Sequence, residues 1–114
     1  MDEQRRNALA RANRTRSAKA AFKAGIRSMD GSQAITRVAT VFRDPRGVEP
    51  SLKVGELLTV IPMVGDTTAR HIGRICDTAL HDRISRVPAQ KRERIARQLE
   101  MMSTRTPARD RQVA

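Results

Sequence analysis

The residues with the clearest chemical potential run from Leu57 to Ile72: Leu-Leu-Thr-Val-Ile-Pro-Met-Val-Gly-Asp-Thr-Thr-Ala-Arg-His-Ile. Leu57, Leu58 and Ile61 keep helical spacing, and Pro62 stops that helix because its ring removes an N–H and clashes with the preceding turn. Gly65 offers a turn position open to positive φ, and Asp66 or Thr67 can cap a second helix. That helix, running from about Thr67, would turn Ala69, Ile72 and Ile75 inward. Two helices joined this way leave backbone N–H groups free at the second N-terminus, and those groups suit a phosphate.

Bond-making chemistry has no comparable support. The acidic residues are scattered, no nucleophile stands out beside a base, and Cys76 is the only cysteine. With only His71 and His81 nearby, it supports neither a disulfide framework nor a zinc site and reads as a buried thiol. No catalytic residue, metal or cofactor is expected.

Charge points to the partner. Lys and Arg number 23 against 12 Asp and Glu, a net +11 with a pI near 11.6, which favours a polyanion, nucleic acid first. Residues 1–29 carry +6, residues 30–85 balance to zero and residues 86–114 carry +5, so a neutral centre is flanked by basic ends. There is no Trp or Tyr, and Phe22 and Phe42 fall at core positions, which argues against recognition by stacking bases on aromatic rings. No apolar run reaches the length of a membrane span, no signal-peptide-like segment opens the chain, and the basic first helix lacks bulky apolar residues that would insert into lipid. A cytoplasmic, nucleoid-associated location is expected.

The elements that must hold the hairpin read as helices throughout. Asp2 and Glu3 suit a first helical turn, and from Gln4 to Met29 only Gly25 interrupts. Ala18, Phe22, Ile26 and Met29 form an apolar face, with Arg16, Lys19, Lys23 and Arg27 on an adjoining basic one. The half from Arg5 to Arg14 has little to bury besides Leu9, and is expected to order on a polyanion. Ser32 can cap a second helix whose stripe is Ile35, Val38, Ala39 and Phe42. Residues 44–50 are a Pro- and Gly-rich loop, the hairpin starts near Lys53, and residues 77–87 form a connection with one short helical turn. Pro88 takes the first position of a last helix with Ile95, Leu99 and Met102 as its stripe and Met101 and Met102 closing the core. The expected fold is all-α: a long basic helix over 1–29, a compact bundle of about four helices over 30–102 containing a helix-two-turns-helix, and a disordered basic tail over 103–114.

The ordered set of elements resembles the actinobacterial type of integration host factor across roughly residues 5–100. The residues that carry the resemblance are Lys53-Val54-Gly55-Glu56-Leu57-Leu58 and the hairpin Ile61-Pro62-Met63-Val64-Gly65 leading to Ala69, set between the Ala/Arg-rich first helix and a basic connection. The hairpin is also similar to the helix-two-turns-helix of a small-subunit ribosomal protein and to helix-hairpin-helix motifs. The resemblance implies a small nucleoid-associated protein that binds double-stranded DNA with little sequence preference, bends, bridges or condenses it, and assists a recombinase in site-specific recombination. Such a protein would be a monomer in solution. It implies hairpin contacts from Pro62, Met63, Val64, Gly65, Thr67 and Thr68, and a later contact from Arg83.

Charge adds Arg70 and Arg74 after the hairpin, Arg5, Arg6, Arg14, Arg16, Lys19, Lys23 and Arg27 on the first helix, and Arg86. Relatives carry basic residues where this chain has Asp66 and Thr68, and arginines where it has Asp82 and Ser85; Arg86 stands at a usual glycine. The hairpin is therefore expected to orient DNA held largely by the first helix, and a bulky β-branched residue at Gly65 to spoil the turn. Two other classes fit the composition: an RNA- or ribosome-associated binder, and a regulator that binds a host DNA-organising protein.

Overall fold

The computed structural model describes the backbone of residues 2–113 and the side chains of residues 2–102. Five α-helices occupy them: α1 (Asp2–Arg27), α2 (Gly31–Arg43), α3 (Val54–Thr59), α4 (Asp66–Ile75) and α5 (Ala89–Val113), with 3-10 turns at Glu49–Ser51 and Ile84–Arg86. The fold is all-α, as the periodicity predicts. The tail expected over 103–114 falls where no side chain is described. No helix among the described residues is long and apolar enough to cross a membrane.

The core is built on α2, which buries Ala34, Ile35, Val38, Ala39, Val41 and Phe42. Its cap is Asp30 rather than the expected Ser32. The chain is still extended at Asp30 and helical from Gly31, so the Asp30 carboxylate is the one placed to accept from the Gln33 N–H, at 2.8 Å. Against α2 lies α5, with Ile95, Ala96 and Leu99 buried in the most extensive helix–helix contact of the molecule. Helix α5 begins at Ala89, one residue later than expected, because the Pro88 carbonyl accepts from the Lys91 and Arg92 N–H groups and so stands at the cap position. Met102 rests on the core, whereas Met101, one residue back on the helix, points away and is 52% exposed. Only Met102 closes the core.

Helix α1 docks by its last two turns alone. Ile26 is buried and Phe22 and Met29 are half-buried, but Ala18 is exposed and Leu9 is 61% exposed, so the apolar face stops at Phe22 and the rest of the helix projects. Arg37 of α2 stacks over Phe22 with its guanidinium carbon 5.5 Å from the ring centroid, and also pairs with Glu49 at 3.1 Å. Glu49 is the one buried charged residue among those described, and its other oxygen accepts from the Arg46 N–H.

Residues 80–84 are pinned across the start of α3. Val54 N–H donates to the Asp82 carbonyl, Gly55 N–H to that of Leu80 and Ile84 N–H to that of Leu52, around an isolated antiparallel bridge between Lys53 and Arg83. Helix α4 approaches the chain after it just as closely. A Cβ at Gly73 would stand 2.9 Å from the Thr78 carbonyl oxygen, so only glycine fits there.

Candidate nucleic-acid interface

The hairpin between α3 and α4 grows out of the core. Leu57, Leu58, Val60, Ile61 and Val64 are all buried, and the Val64 N–H donates to the Ile61 carbonyl at 3.1 Å to close the tip. Val64 is 5% exposed, and its burial removes its side chain from the expected contacts. The outward residues are Met63, Gly65, Asp66 and Thr67, with Pro62 and Thr68 half-buried.

Its turn is made differently from the sequence expectation. The left-handed residue is Met63, at φ 75°, while Gly65 is extended at φ −95° and ψ −176°, a conformation open to any residue. The chain reverses directly after Pro62, which places the strained position two residues before the glycine. A Cβ on Gly65 would meet nothing within 4 Å, so a bulky residue there leaves the turn intact, contrary to expectation. Left-handed backbone costs an L-residue about 1–2 kcal/mol, held here by the buried residues on both sides.

Helix α4 starts at Asp66, one residue early, with Gly65 as its N-cap and no side chain capping it. Asp66 thus occupies the first helical turn instead of the cap. The inner face is Ala69, Ile72 and Gly73, continued by Cys76; Ile75, expected inside, is 48% exposed because Cys76 fills the last core position. Burial pushes the Cys76 thiol up, against a smaller opposing influence from Arg94, so it stays protonated and free.

The end of α1 meets this hairpin. Arg27 and residues 59–65 line one open cleft of about 520 Å³. The basic stripe of α1 therefore runs into the exposed side of the turn.

The chain matches no protein-family model, no curated protein and no solved structure.

The basic residues divide by what they touch. Lys23 lies 2.6 Å from Glu56 and fastens α1 to α3. Burial alone would raise the Glu56 carboxyl, but the Lys23 hydrogen bond and the charges of Lys23 and Lys19 together outweigh it and hold that group below the usual carboxylate range. Arg83 donates to the Ser51 carbonyl at 2.7 Å and so reinforces the Lys53–Arg83 bridge. Both residues are expected on DNA, and both already have partners inside the fold.

Arg5, Arg6, Arg14, Arg16, Arg27, Arg70, Arg74 and Arg86 make no side-chain hydrogen bond or ion pair among the described residues and are exposed. Lys19 is half-buried, within electrostatic reach of Glu56. Arg14 borders a groove against Gly47, Val48 and Ser51. Arg70 and Arg74, one turn apart on α4, line a separate groove of about 630 Å³ with Asp77 and Asp82 on its rim. The structure thus brings Arg27 to the hairpin and leaves the α4 arginines on another surface.

Two participants carry no sequence signal of their role. Arg92 reads as one more cation on the last helix, yet it donates to the Phe42 carbonyl at 2.8 Å and reaches that of Arg43, closing the C-terminus of α2. Glu56 reads as a first-turn acid and is the anchor of Lys23. The spacing that would have paired them spans different helices, so no local periodicity reveals it.

Proposed function

We propose that this protein binds double-stranded DNA with little sequence preference in the nucleoid, bends, bridges or condenses it, and assists a recombinase by shaping the recombining site. The observation that carries the reading is the row of cations on α1 that ends at the hairpin cleft. Arg5, Arg16, Lys19 and Arg27 fall in a sector about 80° wide at 3.6 residues per turn. Helical rise separates Arg5 from Arg27 by about 33 Å, close to the roughly 34 Å of one duplex turn. A row of that length can follow phosphates along a groove, where contacts supply affinity but carry no sequence information.

The hairpin adds orientation. Its uncapped α4 N-terminus turns backbone N–H groups and the positive end of a helix dipole toward the surface beside Arg27. Asp66 opposes this, because its carboxylate repels a phosphate at short range. Affinity then rests on α1, while the hairpin decides how the duplex lies.

The test is a salt series on unrelated duplexes of equal length. Neutralising about six phosphates gives a slope of log K against log salt near −5. A flat dependence overturns the reading, and so does a clear preference for RNA of the same length.

A further inference from the structure

The geometry points to Met63 as an apolar wedge that inserts between base steps of the bound duplex and kinks it. This inference rests on the DNA-binding proposal and adds how the hairpin deforms its ligand.

Three observations meet at this residue. Met63 is 79% exposed, more than Leu9, Ile75 or Met101, the other large exposed apolar residues among those described. It holds positive φ, at 75°, in a position where glycine would sit without strain. The tip around it cannot relax: Pro62 fixes the preceding φ, Ile61 and Val64 are buried on either side, and the Val64 N–H is bonded to the Ile61 carbonyl. The fold therefore drives an unbranched apolar side chain outward from a rigid turn and keeps it there at a conformational cost.

Its surroundings select the ligand. Met63 shares its cleft with Arg27, which has no partner among the described residues, and lies three residues before the uncapped start of α4, so a cation and a helix N-terminus stand beside the apolar tip, with the Asp66 carboxylate offsetting part of their field. A purely apolar partner would leave Arg27 without a counter-ion. A duplex satisfies both, phosphates against the cations and a base step against the thioether. Apolar wedges of this size unstack one step and bend DNA by tens of degrees. Both aromatic rings are taken into the core region, Phe42 fully and Phe22 under Arg37, so Met63 is the side chain of the hairpin that can do this.

The experiment uses the full chain with Met63→Gly, Met63→Gln and Met63→Leu on an A·T-rich duplex of about 30 base pairs, labelled at both ends for energy transfer. Thermal melts of the proteins, binding isotherms and permanganate reactivity of unstacked thymines accompany it. Met63→Gly relieves the left-handed backbone by more than the unfolded-state entropy that glycine adds, and should raise Tm by about 2–6 °C, which the melt checks. It should bind within about threefold of the parent, because phosphate contacts are untouched, yet lose the end-to-end shortening and the permanganate signal. Met63→Gln should lose both as well, and Met63→Leu should keep them. If the parent binds but leaves the duplex straight, or if Met63→Gly bends it fully, the wedge is wrong and the DNA reading stands. If the parent does not bind duplex at all, both fall. Unchanged bending accompanied by altered self-association of Met63→Gly would assign the tip to protein contact and overturn the wedge.

Discussion

Helices α1 and α5 are nearly equal in length, 26 and 25 residues, and both are rich in arginine, but their described side chains, up to residue 102, use charge differently. Over residues 89–102 of α5, Arg92 closes the end of α2, Lys91 reaches the Asp77 carbonyl, and Glu93 and Glu100 grip Arg43 of α2, while Arg94 stays exposed. In α1 the ion pair of Lys23 with Glu56 joins the helix to the body, and the cations from Arg5 to Arg16 have no partner among the described residues. The cause is the apolar stripe. Ile95, Ala96 and Leu99 bring α5 against the last carbonyls and Arg43 of α2, whereas α1 buries Ile26 alone and its cations from Arg5 to Arg16 bond to no acceptor among the described residues. Charge count therefore does not assign a helix to binding; its distance from internal acceptors does.

The two helices differ most in what their apolar stripes hold. Leu99→Ala should cost about 2–5 kcal/mol by opening a cavity between α5 and α2, while Leu9→Ala on the projecting part of α1 should change stability by less than about 0.5 kcal/mol. Urea melts of the two variants measure both. Comparable losses would mean that α1 is held along its whole length, and the contrast would fail.

Affinity and stability should separate between the two helices. Alanine at Arg5, Arg16, Lys19 and Arg27 together should weaken duplex binding about 100-fold at physiological salt and flatten the salt slope by about 4, leaving Tm unchanged. Arg92→Ala should do the reverse, lowering stability by about 1–2 kcal/mol through two α2 carbonyls left without their donor and leaving the salt slope in place. Lys23 is kept out of the first set because its loss would also detach α1 from Glu56. An α1 variant that melts early would show that the row is structural.

Most of this architecture is legible from residue spacing. Local periodicity finds α2, α4 and α5, since Ile35, Val38, Ala39, Phe42, Ile95 and Leu99 all bury as their spacing requires. It fails where the decision lies between elements. Nothing near Ile75 tells that Cys76 will take the inner position, and nothing near Ala18 tells that it stays exposed. The hairpin is found correctly from Pro62, yet its strained residue is not, because a glycine nearby draws the positive φ on propensity alone while burial of Ile61 and Val64 sets it at Met63. Of the residues expected at the interface, Lys23 and Arg83 have internal partners that the sequence does not reveal, because those acceptors are 33 and 32 residues away in sequence.

The smallest effect comes from the clamp on α5. Arg43 donates to Glu93 at 2.8 Å and to Glu100 at 2.6 Å, and these bonds hold both carboxyls below the usual carboxylate range while raising the Arg43 guanidinium further. In the unfolded chain both return to about 4.3. A carboxyl whose folded value is the lower one stabilises the fold in full above its unfolded value, and that contribution is lost as pH falls through the folded one. Glu93→Gln with Glu100→Gln should therefore lower Tm slightly at neutral pH, and the gap to the parent should narrow as pH falls below the unfolded carboxylate value. Both groups are partly exposed, so added salt should narrow the gap as well. Arg5→Ala with Arg16→Ala, having no carboxylate to release, should show no such gap at either pH. A gap that survives at low pH would make the clamp a matter of side-chain contact alone, and the inward use of charge by α5 would then rest on Arg92 and Lys91.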